Sequence, residues 1–168
     1  ITRDIAKTFN HQFGDTFIVP ECSVDEKVMT IPGTDGKKMS KTYNNTIDIF
    51  LDEKNLKKQI MSIITDSKGL EESKIADDCN VYKIYKLIAN MKDAQLMKEK
   101  YLTGGFGYGH AKKDLLELIL EKYKEQRVEY FKLLSDKEEI NKILEEGERK
   151  AKNIAINVLE RVKAKLGF

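Results

Sequence analysis

The sequence predicts a mainly α-helical protein, and three observations support this prediction. From Asn80 onward, apolar residues recur at helical spacing almost without interruption. Only two short runs have β-type composition, 16–20 and 27–32, and a proline closes each of them. Charged residues make up 35% of the 168 positions and apolar residues 40%, which suits long solvated helices around a core of about one domain or two small ones.

The chain opens inside a helical pattern. The apolar residues at its start share one helix face: Ile1, Ile5, Phe9 and Phe13. Gly14 is a typical C-terminal stop for this helix. Because no initiator methionine precedes the pattern, we expect the sequence to be part of a longer protein whose missing half covers this apolar face.

The middle of the chain predicts one further helix between loops. Residues 46–51 form an extended entry, and Asp52 is a good N-cap for a helix that reaches about Thr65. Its inward positions are Leu56, Ile60, Ile63 and Ile64. Residues 69–79 then form an acidic connecting loop.

The second half predicts four helices. The first buries Val81, Ile84, Tyr85 and Ile88, a short one covers 93–102, and a long one runs from about 109 to 134 with Leu115, Ile119, Tyr123 and Phe131 inward. A tight glycine turn at 103–110 precedes the long helix. Asp136 can cap the last helix, which reaches about Lys165. The inner face of that helix comprises Ile140, Ile143 or Leu144, Gly147, Ala151, Ile154, Ala155, Val158 and Val162.

Charge is distributed unevenly along the chain. Residues 1–79 carry 11 Lys and Arg against 14 Asp and Glu, and residues 80–168 carry 19 against 14. The basic second half permits a polyanionic partner without requiring one. The last helix carries a basic cluster, which is either a solvated face or an RNA-backbone contact: Arg149, Lys150, Lys152, Arg161, Lys163 and Lys165.

Metal binding and a secreted location are not indicated. Cys22 and Cys79 lack metal spacing, and we expect reduced thiols in a cytoplasmic protein, with a disulfide between them as the weaker alternative. His11 and His110 have no ligating neighbours at metal spacing; His110 suits a structural or capping role, with an RNA contact as the alternative. Neither a secretory signal nor a membrane span is recognisable.

The segment "GTDGKKMSKTYNN", residues 33–45, concentrates positive charge on a turn-rich loop. Lysine ammonium groups on a mobile loop suit a substrate whose negative charge grows during reaction, such as a nucleoside triphosphate that loses pyrophosphate. Gly33 and Gly36 allow the loop to close, and Ser40 and Thr42 supply hydroxyl groups near the phosphates. The alternative is an ordinary solvated loop.

The order of residues within this loop is a more specific signal than its charge. "KMSKT" (38–42) resembles the KMSKS signature of class I aminoacyl-tRNA synthetases, and the flanks resemble the bacterial tryptophanyl-tRNA synthetases, in which Tyr-Asn-Asn follows the loop. Further similar blocks are "ITRDIAKTFN" (1–10), "IITDS" (63–67), "GFGYGHAKKDL" (105–115) and the C-terminal segment from Glu146. The resemblance covers essentially the whole chain, but only the C-terminal half of that family.

This resemblance implies two regions. Residues 1–66 would form the end of a Rossmann-type α/β catalytic region with the KMSKS-like loop, and 67–168 a helical anticodon-binding region whose last helix folds back on the catalytic half. The family's HIGH-like motif and amino-acid pocket are not found in this sequence. We therefore expect the chain by itself to be inactive and to self-associate or to keep a mobile N-terminal segment.

The resemblance also implies roles for the loop residues. Lys38 and Lys41 would contact the ATP phosphates, with Lys41 as the stronger catalytic candidate, and Ser40 would complete the loop. Thr42 stands where serine is commoner and keeps the hydroxyl group. Lys37 lies outside the motif and is either a further contact or solvated charge.

The resemblance also gives roles to two methionines. Met39 would lie against the adenine, and Met29, on the preceding run, would contact adenine through its backbone. Lys112 and Lys113 are the candidate nucleic-acid contacts of the basic half.

The implied activity is that of a tryptophan–tRNA ligase, which activates tryptophan with ATP and Mg²⁺ and transfers it to tRNA(Trp), as a homodimer. Two alternatives stay open: another class I synthetase, with the tyrosyl enzyme nearest, and a stand-alone helical RNA-binding module that keeps a relic of the loop.

Overall fold

The computed structural model describes residues 1–24 and 30–168, and every regular element in these ranges is helical. The seven α-helices are α1 Thr2–Phe13, α2 Glu53–Met61, α3 Asn80–Ile88, α4 Met91–Thr103, α5 Tyr108–Lys122, α6 Lys124–Ser135 and α7 Lys137–Leu166. Short 3₁₀ turns occur at Lys41–Tyr43 and Ala76–Asp78. The prediction of a mainly α protein is confirmed.

The chain divides into two compact units. One unit comprises Ile1–Val24 and Lys132–Phe168, and the other comprises Asp25–Phe131.

In the first unit, α1 ends where the sequence predicted. Gly14 takes a φ of 81° and its N–H donates to the Asn10 carbonyl at 2.9 Å. The Asn10 side chain then satisfies the following loop, because its Oδ1 accepts from the N–H groups of Thr16 and Phe17 at 3.1 and 2.9 Å. Residues 16–20 therefore form no strand, contrary to their β-type composition, since Asn10 takes up backbone groups that a strand partner would otherwise pair.

The apolar face of α1 is largely uncovered, as expected. Ile1 is 95% exposed and Ile5 is also exposed, whereas Phe9 is half-buried against the rings of Phe13 and Phe17 at 4.8 and 5.0 Å. Ala6 is the buried residue of this helix. Within the same unit, the Arg161 guanidinium of α7 donates to the Thr16 carbonyl at 3.4 Å.

Helix α7 begins as predicted but does not bury its predicted inner face. Asp136 accepts from the Glu139 N–H at 2.9 Å, which confirms the N-cap. Along the helix, Ile140, Val158 and Val162 are half-buried, and the other positions of the predicted face are exposed. The periodicity identified the apolar side of the helix, but burial needs a covering element, and the first unit covers only part of that side.

The second unit contains the hydrophobic core, in which α5 packs against α2 and α3. The large apolar side chains that are fully buried come from α2, α3, α4 and α5 and from the segment that follows α2: Leu56, Ile60, Ile63, Val81, Tyr101, Leu115 and Ile119. The predicted inward positions Val81, Ile84 and Tyr85 of α3 are confirmed, with Ile88 half-buried.

Helix α2 is shorter than predicted. Asp52 caps it by accepting from the Asn55 N–H at 3.1 Å, as expected, but the helix ends at Met61 rather than near Thr65. Ile64 was predicted to point inward and is instead 59% exposed, because the chain has left the helical phase before this position. The preceding run 46–51 contains a turn, closed by the Leu51 N–H on the Asp48 carbonyl at 3.3 Å, and no strand.

The predicted long helix over 109–134 is wrong, because two helices occupy this stretch. They meet at Tyr123, whose φ of −104° and ψ of 16° depart from helical values. After the break, the Arg127 guanidinium donates to the carbonyls of Ile49 and Leu51, and Tyr130 stacks on Phe50 at 4.5 Å. Phe131 was predicted to point inward and is 46% exposed.

The glycine turn before α5 is confirmed. Gly104 and Gly105 have φ values of 77° and 72°, which favour glycine. A side chain at Gly104 would also collide with the Glu71 carbonyl.

Candidate functional site

The lysine loop is a closed backbone structure in the second unit. An isolated antiparallel bridge joins Pro32 and Lys38, with the Met39 N–H donating to the Ile31 carbonyl and the Gly33 N–H to the Lys37 carbonyl, both at 2.7 Å. The run 27–32 was predicted as extended, and its residues 27–29 lie outside the described residues.

A 3₁₀ turn completes the loop. Ser40 caps this turn, because its Oγ accepts from the Thr42 N–H at 3.2 Å. Asn44 then reverses the chain with a φ of 51°, a left-handed conformation that asparagine tolerates better than most residues.

Asn45 organises the loop from inside. Its side chain is almost fully buried, with the residue 2% exposed. The amide oxygen accepts from the Ser40 N–H at 2.8 Å, and the amide nitrogen donates to the Asp35 carboxylate at 2.7 Å and to the Lys38 carbonyl at 3.2 Å. One side chain thus fixes both the turn before the lysines and the backbone between them.

Gly33 makes this arrangement possible. A Cβ at position 33 would overlap the Asn45 side chain and its carbonyl oxygen. The Thr34 N–H donates to that carbonyl oxygen at 2.9 Å, which closes the loop at its base. The sequence predicted glycine at this position because the loop needs backbone freedom to close. Close packing against Asn45 is a second reason for glycine here.

The Asp35 carboxylate is the acidic member of the loop. The hydrogen bond from Asn45 is the main cause that lowers the pKa of Asp35 below its ordinary value, and the Lys37 backbone N–H, at 3.0 Å, acts in the same direction. Asp35 is therefore ionised at neutral pH and serves as a fixed acceptor within the loop.

The predicted phosphate-binding lysines lie at the surface of the loop. Lys37, Lys38 and Lys41 are exposed, and none forms an ion pair with a residue in 1–24 or 30–168. Thr42 is exposed and Ser40 half-buried. The loop therefore presents its lysines to solvent on a backbone that internal hydrogen bonds hold in place.

Met39 is half-buried, unlike the exposed lysines of the loop. It lines an apolar cavity of about 250 Å³ together with Ile31, Ile47, Ile84 and Leu87, among others. The second methionine of the prediction, Met29, lies outside the described residues.

The loop is also attached to helix α3. The Ile64 N–H donates to the Thr34 carbonyl at 2.8 Å, and the Asn80 amide donates to the Ile64 carbonyl at 3.1 Å. Gly36, with a φ of 79°, lies so close to Asn80 that a Cβ would overlap its side chain. These contacts fix the loop relative to the start of α3.

The two candidate nucleic-acid lysines differ in their surroundings. Lys112 donates to the Met61 carbonyl at the end of α2 at 2.9 Å, and burial lowers its pKa. Lys113 is exposed and pairs with Glu117 at 3.8 Å, one turn along α5. Lys112 thus has a structural role in holding α2, whereas Lys113 lies at the surface, where a partner can reach it.

The remaining candidates have local structural roles. The His110 ring accepts from the Gly107 N–H at 3.3 Å, which confirms a capping role. Both cysteines are free thiols, Cys22 exposed and Cys79 buried. On α7, Lys150 pairs with Glu146 at 2.7 Å.

The described residues contain neither a cluster of metal-ligating side chains nor a membrane-spanning helix. In ranges 1–24 and 30–168, no three His, Cys, Asp or Glu side chains gather as a metal site. In the same ranges, no helix is both long and apolar enough to cross a membrane.

Sequence reasoning missed two residues of this region. Asn45 received no role of its own from the sequence, although the Tyr-Asn-Asn that follows the loop was part of the resemblance. Lys74 carried no signal at all, yet it is 1% exposed and its ammonium group donates to the carbonyls of Gly69, Leu70 and Glu72 at 2.6, 3.2 and 2.8 Å.

A mainly helical chain with a hydrogen-bonded, lysine-presenting loop matches a known class of protein. The family of class I tRNA synthetases (W and Y) matches residues 1–124, and the chain belongs to this family.

Individual relatives narrow the similarity to one branch. The chain is 45% identical to the tryptophan–tRNA ligase of Campylobacter jejuni, over 100% of this chain and 53% of that protein. It is also 45% identical to the tryptophan–tRNA ligase of Fusobacterium nucleatum, over 100% of this chain and 52% of that protein. The chain thus spans about half the length of the curated relatives it matches.

Solved structures agree with these relatives. A crystal structure of tryptophanyl-tRNA synthetase from Campylobacter jejuni complexed with ADP and tryptophan matches with a TM-score of 0.84 at 44% identity, over 99% of this chain and 52% of that chain. A second crystal structure of the same enzyme matches with a TM-score of 0.82.

Proposed function

We propose that this chain supplies the C-terminal part of a tryptophan–tRNA ligase. The complete enzyme joins tryptophan to ATP as the adenylate, releases pyrophosphate, and transfers the amino acid to tRNA(Trp). The observation that carries the proposal is the loop of residues 33–45, in which a buried Asn45 holds the backbone while Lys38 and Lys41 extend into solvent. The similarity to tryptophan–tRNA ligases over the whole chain supports it.

The loop chemistry follows from charge. When the bond between the α- and β-phosphates breaks, negative charge accumulates on the departing pyrophosphate. Lys38 and Lys41 stabilise that charge. Because the charge on these oxygens is greater in the transition state than in bound ATP, their effect falls mainly on the rate. Since Asn45 fixes the backbone that carries both lysines, little ordering remains to be done at the moment of reaction.

The other members of the site have supporting roles. Ser40 and Thr42 offer their hydroxyl groups to the phosphates. Met39 and Met29 lie on the adenine side, and Mg²⁺ accompanies the ATP through phosphate oxygens. The amino-acid pocket is contributed from outside this sequence, so the chain alone lacks activity.

At the level of domains, we propose that residues 1–66 close the Rossmann-type catalytic region and that 67–168 form the helical anticodon-binding region. The complete enzyme acts in the cytoplasm as a homodimer. The basic helices contact tRNA(Trp) through its phosphates, with the exposed Lys113 as the candidate in α5. The stand-alone RNA-binding alternative is not favoured, because the relatives over the whole chain are ligases.

The test is ATP–pyrophosphate exchange in the complete gene product, including any coding sequence upstream of Ile1. Lys41→Ala should lower the tryptophan-dependent exchange rate by roughly 10²-fold, with little change in tryptophan affinity. Lys54→Ala, an exposed lysine of α2, is the matched control and should leave exchange within about twofold.

Two outcomes would contradict the proposal. Exchange by Lys41→Ala within about twofold of the wild type would remove the loop assignment. Exchange that depends on tyrosine rather than tryptophan would move the protein to the tyrosyl branch of the same family.

A further inference from the structure

Arg127 of helix α6 holds the segment of chain that leaves the lysine loop. Its guanidinium group donates to the Ile49 carbonyl and, at 2.8 Å, to the Leu51 carbonyl. Only residues 46–48 lie between Asn45, the last residue of the loop, and Ile49. Arg127 therefore acts on the chain directly after the loop, although it lies 76 and 78 positions further along the sequence than its two partners.

A second contact from the same helix supports this one. The ring of Tyr130 stacks on that of Phe50, with 4.5 Å between the ring centroids and 24° between their planes. Phe50 lies between the two residues whose carbonyls Arg127 holds. Residues 49–51 are thus held by α6 through their backbone and through a side chain.

The other end of the segment is part of the loop itself. The Asn45 carbonyl accepts from the Thr34 N–H at 2.9 Å, and the Asn45 side chain holds the backbone around the lysines. Ile47 and Ile49 line the same apolar cavity as Met39, which stands between Lys38 and Lys41 in the sequence. A shift of residues 46–51 would therefore reach the loop both through Asn45 and through the walls of this cavity.

We infer that Arg127 is a positioning residue for the activation of tryptophan, because it sets the position of the loop that carries Lys38 and Lys41. A guanidinium group suits this role, since its planar fork offers separate N–H donors to two carbonyls at once. The ammonium group of a lysine is a point charge on a flexible stem and holds two carbonyls less rigidly. The inference rests on the proposed function for the reaction that the loop serves.

The first test is ATP–pyrophosphate exchange in the complete gene product. Arg127→Ala should lower the exchange kcat by about tenfold and leave the KM for tryptophan unchanged, because misplaced lysines affect the reacting phosphates and not the amino acid. Arg127→Lys keeps the charge but not the planar fork, and should lower kcat by about threefold. Lys124→Ala, an exposed lysine of the same helix, is the matched control and should stay within about twofold of the wild type.

The second test follows the loop directly and needs neither ATP nor tryptophan. In timed trypsin digests, Arg127→Ala should speed cleavage after Lys38 and Lys41 several-fold. If Arg127 merely held its own helix, the faster cleavage would instead be confined to α6, after Lys124 and Lys132. The pattern of cleavage therefore separates positioning of the loop from attachment of α6.

A double variant tests whether Arg127 acts through Asn45. Both residues hold the same stretch of chain, so Asn45→Ala combined with Arg127→Ala should lower kcat by less than the product of the two single effects. Two independent contributions would multiply, which would contradict a shared action on the loop.

Three results overturn the inference. The first is an exchange kcat of Arg127→Ala within about twofold of the wild type. The second is faster digestion confined to α6. If Arg127→Ala does not fold, as measured by circular dichroism, the lysine variant decides, and a wild-type kcat in Arg127→Lys is the third. The proposed function fails separately, through normal exchange by Lys41→Ala, whereas digestion of the loop does not depend on that function.

Discussion

The hydroxyl group of Tyr108 lies 2.5 Å from the Asp66 carboxylate and donates a hydrogen bond to it. Asp66 belongs to the "IITDS" segment and Tyr108 to the "GFGYGH" segment, 42 positions later. The bond joins the end of the α2 region to the first residue of α5. Asp66 also accepts a local hydrogen bond, from the Lys68 N–H at 3.0 Å.

Asp66→Asn should lower the free energy of unfolding by about 1 kcal/mol at neutral pH, because a charge-assisted hydrogen bond becomes a neutral one at an exposed position. Urea denaturation followed by circular dichroism measures the change. Tyr108→Phe should cost a similar amount, and the double variant should cost less than the two single changes added together. Full additivity would show that the two groups do not interact.

The contribution of Asp66 should also depend on pH. The Tyr108 hydrogen bond is the main cause that lowers the pKa of Asp66 below its ordinary value of 3.8. A lowered pKa in the folded state means that the stabilisation is present above the ordinary value and is lost as pH falls through the folded value. The stability difference between wild type and Asp66→Asn should therefore shrink as pH falls below about 4. A difference that stays constant down to pH 2 would contradict this explanation.

Asn45→Ala should loosen the lysine loop. The substitution removes the acceptor of Ser40 and the donor to Asp35 and Lys38, so the backbone between the lysines loses its internal support. Trypsin, which cuts after lysine, should cleave within 33–45 several-fold faster, as measured by mass spectrometry of timed digests. In the complete enzyme, exchange kcat should fall by about tenfold with little change in the KM for tryptophan.

Two neighbouring changes sharpen this prediction. Asn44→Gly keeps the left-handed turn, whose φ is 51°, and should digest like the wild type. Asn45→Asp places a second carboxylate against Asp35 and should be more harmful at pH 7 than alanine. Equal digestion of Asn45→Ala and wild type would show that the loop is held by other contacts.

Lys74→Met should destabilise the second unit by about 2–4 kcal/mol. The ammonium group of this buried lysine satisfies the Gly69, Leu70 and Glu72 carbonyls and lies 5.6 Å from the centre of the Tyr108 ring. Methionine fills a similar volume but leaves those carbonyls without their donor. Thermal and urea denaturation measure the loss.

Lys68→Met is the matched control for that substitution. Lys68 is exposed, and its ammonium group makes a single long hydrogen bond of 3.4 Å, to the Ser73 carbonyl. We expect its effect to stay within about 0.5 kcal/mol. A similar loss in both variants would show that the three carbonyls near Lys74 are satisfied in another way.

Lys113→Glu should weaken tRNA(Trp) binding by the complete enzyme, if the proposed function holds. The slope of log affinity against log salt should fall by about one, because one phosphate contact fewer releases fewer counterions. Filter binding at several salt concentrations measures both. The matched control is Glu117→Gln, which frees Lys113 from its ion pair and should not weaken binding.

Lys112→Glu should behave differently from its neighbour. Lys112 holds the Met61 carbonyl at the end of α2, so its reversal should also lower the thermal stability of the chain. An unchanged salt slope in Lys113→Glu would remove this residue from the RNA contact.

Local interactions explain what could be predicted from the sequence. Gly14, Asp52 and Asp136 end or begin their helices as predicted, because a cap depends on residues within one turn of it. The glycine turn at 104–105 follows for the same reason. The lysines of the 33–45 loop were also recognisable, since their spacing is a property of the sequence alone.

The wrong predictions concern positions whose conformation depends on residues far away in the sequence. Neither proline nor glycine marks the break at Tyr123, and the contacts beyond it involve Ile49 and Leu51, more than 70 positions earlier. Ile64 lies outside helix α2, because its N–H donates to the Thr34 carbonyl. Helical periodicity is a local signal and carries no information about such partners.

For this protein, the sequence by itself determined the helical class, the caps and the chemistry available to the loop. Only the tertiary structure decided how that chemistry is arranged: Asn45 buried beneath the lysines, and Arg127 holding the carbonyls of Ile49 and Leu51 directly after the loop. The physical reason is that capping and turn preferences act over a few residues, whereas a buried amide or a guanidinium group between two distant carbonyls exists only after separate segments have packed together.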